Sequence, residues 1–252
     1  MAGSRSVRRV KASATATAGS AGTPALPEGE AKVAAVRSMF DAIAPRYDRV
    51  NRLLTFGMDV GWRRRTVGAL GLPAGSVVLD VAAGTGDLCR ELQGRGMRAV
   101  GIDMALGMLS HARTAAPLVQ ADALALPVPA AAADGLTCGF ALRNFVDLDR
   151  FFAEAARVLR PGGRLALLEV AEPANPVLRA GHGLYFGKVV PVVGGWLSDR
   201  AAYSYLPRSV AYLPEVPVML DLLRNKGFEA VERRLLSTGI AQLVTATRRA
   251  AP

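Results

Sequence analysis

Cysteine, histidine and long apolar runs are what this chain has least of. Its two cysteines, Cys89 and Cys138, stand far apart with no CxxC spacing and no clustered histidine, which excludes a disulfide framework and a zinc site. Aromatic residues make up 6% of the 252 positions, and they do not interleave with the basic stretches WRRR, ERR and TRR, so no stacking groove for nucleic acid is indicated. No uninterrupted apolar run reaches the roughly 18 residues of a membrane-crossing helix. Internal repeats and a secretory h-region are also missing. No acid precedes Glu28, and the opening MAGSRSVRRVK is basic. The following SATATAGSAGTPALPEGE holds almost nothing large to bury, so residues 1–31 are expected to be a disordered Ala/Arg-rich tail. A flexible extension accounts for it better than an organelle transit peptide, because its basic cluster lacks an amphipathic helix.

What remains, residues 32–252, is long and apolar enough (51% hydrophobic over the chain) for one α/β domain. The net charge of +10 is dispersed, and it suits an anionic membrane surface better than nucleic acid. The default compartment is a reducing cytosol, with the inner membrane surface or an organelle as alternatives.

From Gly75 onward short apolar runs alternate with helical patterns, which predicts a mostly parallel sheet. SVVLDV, RAVGID, LVQAD, GLTCGF and RLALLEV read as five strands; DLCRELQGRG, MALGMLSHARTAA and VDLDRFFAEAARVLRPGG read as helices. After the helix EVPVMLDLLRNKGF, the strands EAVERRLL and IAQLVTATR are joined by STG, too short a link for anything but an antiparallel pair. A parallel sheet closed by such a hairpin resembles the Rossmann-like class I methyltransferases.

The loop after the first strand, VLDVAAGTGDL, admits two ligand classes. A dinucleotide would rest its pyrophosphate on the helix N-terminus, where Asp87 stands and would repel it. In addition, Cys89 occupies the place where a fingerprint beginning at Gly84 wants Gly or Ala. S-adenosylmethionine has no phosphate and carries a sulfonium and an ammonium, so carboxylates are welcome. Around Gly84, Thr85 and Gly86, the acids have a part each: Asp80 to accept from the amino-acid end, Asp103 after strand two to hold the ribose hydroxyls, and Asp122 after strand three to accept from adenine, with Ala123 beside it. Each acid could also serve as an ordinary cap or turn residue.

The stretches MFDAIAPRYDRVNRLLTFGMDVGWRR, LDVAAGTGDL, GFALRNFVDL and RVLRPGGRLALLEVAEP carry a closer resemblance. Over about residues 36–240 the chain is similar to the ubiquinone/menaquinone biosynthesis C-methyltransferases. The likeness implies methyl transfer to a ring carbon of a polyprenyl benzoquinol or naphthoquinol, with Thr85, Asp103, Asp122, Ala123 and Gly139 against the donor. Gly139 and Ala141 depart from the family's usual Ser and Gly, and the ending GIAQLVTATR lacks its His-Arg-Gly close.

Methylating a ring carbon needs an ionised ring oxygen and an in-line geometry. Arg143 and Asn144 are expected to bind that oxygen, Tyr47 to orient ring or donor, and Asp48 or a water to take the proton. The alternatives are a surface pair for Tyr47 and Asp48, and a salt bridge from Arg143 to Asp147. His182 in AGHGLYF reads as a turn or structural histidine before it reads as a base. Residues 171–214 are expected to be a substrate-covering insertion. Within it LYFGKVVPVVGGWL would cover a greasy substrate, touch headgroups through Tyr185, Phe186 and Trp196, or join two copies as a homodimer. Two other readings stay open: a methyltransferase for another aromatic or lipid acceptor, and a non-catalytic scaffold.

Overall fold

The computed structural model describes residues 28–192 and 200–250. Most of the expected tail, and Trp196 within the expected insertion, lie outside the described residues. The first helix, α1 (Gly29–Ile43), begins just before the expected boundary at residue 32 and is followed by α2 (Tyr47–Leu54) and α3 (Met58–Leu70).

The Rossmann-like αβ unit then runs β1 (Val77–Val81), α4 (Asp87–Gly94), β2 (Arg98–Asp103), α5 (Leu106–Ser110), β3 (Leu118–Gln120), β4 (Ala133–Gly139), α6 (Leu148–Val158) and β5 (Leu159–Val170). Beyond it come α7 (Pro176–Leu184), α8 (Arg200–Ser209), α9 (Val216–Asn225), β6 (Phe228–Leu236) and β7 (Ala241–Arg248). The seven strands form one sheet in the order β3-β2-β1-β4-β5-β7-β6. All pairs are parallel except the two made by β7, so the expected mixed sheet and its terminal hairpin are both present.

The strand order reverses between β1 and β4, and a crevice outside the carboxyl ends of such strands is where open α/β sheets bind ligands. β1 is apolar apart from Asp80 because both faces of the sheet are covered. Phe151 and Phe152 of α6 are fully buried on one face, and Leu88, Cys89 and Leu92 of α4 are buried on the other. Capping explains two helix starts. Asp147 accepts from the Arg150 N–H at 2.9 Å to open α6, and Asn175 accepts from Val177 N–H at 2.9 Å to open α7, with Pro176 in its first turn.

Three expectations change. The helix expected over MALGMLSHARTAA ends at Ser110, because the chain turns back to the loop after β1: Arg113 N–H donates to Thr85 O at 3.0 Å. RPGG forms an irregularity inside β5, where the pairing slips between Ala133–Leu159 and Gly135–Arg164. The third strand stops at Gln120, so Asp122 stands in the following turn.

Candidate active site

Two cavities lie at the carboxyl edge of the sheet. The smaller, about 80 Å³, is bordered by Gly84, Asp103, Asp122, Ala123, Gly139 and Asn144. Gly84 adopts φ +56°, a conformation that costs a side chain strain, and so keeps the backbone close to whatever occupies the cleft. Asp103 accepts from Gly84 N–H and Ala105 N–H, both at 2.8 Å, which aims its carboxylate across the loop; burial pushes its pKa up, against those hydrogen bonds. Asp122 accepts from Leu124 N–H at 2.9 Å and is otherwise exposed at the mouth. At Gly139 a Cβ would come within 3.0 Å of Leu88, so the larger residue common in the family would have to shift that leucine.

The remaining residues expected at the donor stand elsewhere. Asp80 does not line the cleft: it is fully buried beneath it, accepting from the Thr137 hydroxyl at 2.8 Å and the Cys89 thiol at 3.4 Å. Desolvation raises its pKa to about 7. Thr85 is also outside the lining; its hydroxyl donates to Asp48, joining loop to α2. Gly86 is outside it too, and packs against Thr114, whose methyl a Cβ would meet at 2.7 Å. Asp87 is held by Arg63 at 3.1 Å, by Arg90, and by Arg52 at 3.6 Å. The N-terminus of α4 is therefore occupied by its own acid, which three guanidinium groups hold in place.

The larger cavity, about 390 Å³, is mostly apolar. Its walls come from α2 and α3 (Leu54, Trp62), from the segment after β4, and from α7 and the residues that follow it (Val177, Leu178, Tyr185). Tyr47 and Phe140 border both cavities, so the two meet across these rings. Phe140 holds φ +59° immediately after β4. Burial raises the Tyr47 phenol above its ordinary value, which keeps it protonated as a hydrogen-bond donor.

The four residues expected to act on the acceptor separate. Arg143 lines the large cavity but pairs with Glu169 and donates through Nε to Ser209 Oγ at 3.1 Å, with both charged partners almost fully buried. The alternative partner, Asp147, is instead engaged as the α6 cap. Asn144 faces the smaller cleft, where Tyr205 donates to its Oδ1 at 3.4 Å, so one ring oxygen cannot sit against both residues in the way their adjacency suggested. Asp48, tied to Thr85, links α2 to the loop after β1 and is not a free base.

The sequence pointed to the N-terminal helix bearing Tyr47 as a cover for the donor, but not to the helix before it. Val36, Arg37 and Phe40 of α1 border the small cleft, and α1 is held at both ends. Lys32 Nζ donates to Phe145 O at 3.0 Å and lies 3.6 Å from the Tyr212 ring centre, and Asp41 accepts from Gly107 N–H at 2.7 Å. The helical spacing of Val36, Phe40 and Ile43 was the available signal.

This strand order, with acids after β2 and β3 aimed into a glycine-floored crevice, defines a class I S-adenosylmethionine-dependent methyltransferase. The residues would suit that donor: carboxylates for a cation and its sugar, small residues at Gly139 and Ala123, and an aromatic ring, Phe140, of the kind that attracts a cation. A SAM-dependent methyltransferase of Thermotoga maritima shares the fold at a TM-score of 0.61 and 19% identity, over 84% of this chain and 99% of that one.

The chain belongs to the ubiE/COQ5 methyltransferase family, whose model matches residues 28–248. The demethylmenaquinone methyltransferase of Deinococcus radiodurans is 42% identical over 236 residues, 90% of this chain and 98% of that protein. The ubiquinone/menaquinone biosynthesis C-methyltransferase UbiE of Syntrophotalea carbinolica is 40% identical over 224 residues, 84% and 93% of the two chains.

Proposed function

We propose that this enzyme methylates a ring carbon of a polyprenyl quinol, a demethylmenaquinol or its benzoquinol counterpart. The observation that carries the reading is the junction at Tyr47 and Phe140, where a cleft suited to a charged donor opens onto a cavity suited to a flat apolar ring. The donor, when bound, supplies an electrophilic methyl on a sulfonium. Asp103 and Asp122 orient it by accepting hydrogen bonds, and Asn144 offers an amide on the same side. Arg143 presents positive charge to the other cavity and favours the ionised form of a ring hydroxyl. Its guanidinium is fixed by Glu169 and Ser209, so little reorganisation is needed when charge develops. Tyr47 and Phe140 hold ring and methyl in line across the shared wall.

The segment from Pro173 to Val190 acts as the substrate cover. A prenyl chain leaving the cavity meets exposed apolar side chains: Phe56 is 75% exposed, Val177 78% and Val192 68%. Lys188 and Arg49 are also exposed. That combination suits peripheral contact with an anionic bilayer. No helix among the described residues is long and apolar enough to cross a membrane.

The test supplies labelled S-adenosylmethionine with reduced demethylnaphthoquinol and demethylbenzoquinol acceptors and identifies the product. Label on a ring carbon supports the assignment; donor binding without label transfer to either ring overturns it. Flotation with anionic and with neutral vesicles checks the membrane contact separately.

A further inference from the structure

Every oxygen base along the acceptor cavity is already engaged. Asp59 accepts from the Thr55 hydroxyl at 2.9 Å and pairs with Arg63 and, at 3.5 Å, with Arg52. Glu169 is taken by Arg143, and Asp48 by Thr85. The Tyr185 hydroxyl donates to Leu54 O at 2.8 Å, and burial raises both its pKa and that of Tyr47. A quinol ring that must lose a hydroxyl proton inside this cavity finds no free carboxylate among the described residues that line it; Glu172, next to Pro173 of the wall, is exposed and lies outside the lining.

His182 is different. It lines the same cavity from α7, and its Nε2 is buried with no hydrogen-bond partner. Its ring lies 4.5 Å from Phe186 at 36°, which gives the imidazole a packed backing. An orphaned buried nitrogen is unfavourable, and a hydroxyl placed against it removes that cost. Burial lowers its pKa below 6.5, opposed only by Glu172, so the ring is neutral and has a lone pair to offer at pH 7.

We propose that His182 is a catalytic residue that accepts the hydroxyl proton of the acceptor ring, a role that rests on the quinol reading above. The ring O–H bond breaks and its proton goes to Nε2, leaving the electron pair on oxygen beside Arg143. The ring carbon then bonds to the methyl, the methyl–sulfur pair passes to sulfur, and the ring carbon's own proton leaves to water as aromaticity returns. Imidazolium gives its proton back to the product oxygen, so each turnover releases one proton and leaves the enzyme unchanged.

The experiment compares wild type, His182→Ala and His182→Gln with a reduced short-tailed demethylnaphthoquinol, the wild-type substrate being confirmed first. His182→Ala is expected to lower kcat by about 100-fold or more, while donor binding measured by calorimetry is unchanged. Added imidazole restores turnover in the Ala variant, and the acid limb of the kcat profile seen in wild type disappears from both variants. The charged and titratable groups facing His182 are Glu172 before α7, Tyr185 beside it, and Tyr47, Asp59, Arg63 and Arg143 across the cavity. They remain in every variant, so an acid limb that persists belongs to one of them. Full turnover in His182→Ala, or a loss that imidazole leaves untouched with the acid limb intact, overturns the role while the quinol reading stands. Wild type that methylates no quinol overturns both.

Discussion

The small cleft hangs on strand ends and meets its ligand with backbone amides and carboxylates, whereas the large cavity beside it is walled by helices and meets its ligand mainly with hydrocarbon. Asp103 is held by two backbone N–H groups, and Gly84 and Gly139 are parts of the sheet's own edge. The large cavity depends on side chains brought from opposite ends of the chain, such as Leu54, Arg143, Val177 and Ile240. Geometry set by a hydrogen-bonded sheet is rigid and suits one invariant donor; a helical apolar wall repacks and suits an acceptor whose tail varies. The same contrast separates two buried ionisable side chains. Desolvation raises the pKa of Asp80, under the cleft, to about 7, while Arg143, in the cavity wall, is paired with Glu169.

The largest expected effect tests that pairing. Arg143→Met leaves Glu169 buried without a counter-charge and should cost about 3–5 kcal/mol in urea unfolding, while Arg143→Met/Glu169→Met recovers much of it. Activity stays low in both, since the cavity has lost its cation; equal stability of the single and double variants would break the account of a paired ion.

Next in size is the pH response of Asp80. Its folded pKa, about 7, lies above the unfolded carboxylate's 3.8, so between these values the folded state holds a proton that the unfolded state has lost. Stability contributed by protonated Asp80 is complete below about pH 4 and is lost as pH rises toward 7. Asp80→Asn should flatten that part of the stability profile and leave the donor's KM nearly unchanged, because the residue lies beneath the cleft.

Third, Asp103→Asn should raise the donor's KM by roughly 10–100-fold through loss of charged hydrogen bonds, with the quinol's KM unaffected in steady-state assays. A matching rise in both constants would show that cleft and cavity are not separable. The smallest effect belongs to the rim: Phe56→Ser should raise KM a few-fold for long-tailed quinols, in proportion to the apolar surface that the phenyl ring no longer offers the tail, and leave short-tailed ones unchanged.

Where the information was local, it was legible. β1, β2 and β4 could be read from apolar runs, and Asp103 and Asp122 could be placed because strand ends in a parallel sheet converge on one edge. α6 could be read from its apolar spacing and the proline and glycines that follow it. The burial of Asp80 beneath the cleft could not be read, since whether a strand-end acid points at the crevice or the core depends on Thr137 and Cys89, which approach from a neighbouring strand and helix. The shortness of α5 escaped for a similar reason: Arg113 and Thr114 are drawn to Thr85 and Gly86, contacts no local propensity encodes. Asn144 follows Arg143 directly, yet the turn after β4 sends their side chains to different cavities.

By itself, the amino-acid sequence determined the strand and helix periodicities, the glycine-bearing loop, the donor class and the family. Those follow from patterns spanning a few residues, where backbone conformation and solvation are decided nearest-neighbour by nearest-neighbour. Only the tertiary structure decided that Arg143 meets Glu169, that Asp48 meets Thr85, that Lys32 anchors α1 at Phe145, and that His182 faces the acceptor cavity. Each of these joins distant segments, and the choice of partner was made by which buried polar groups could satisfy one another once the apolar surfaces had packed.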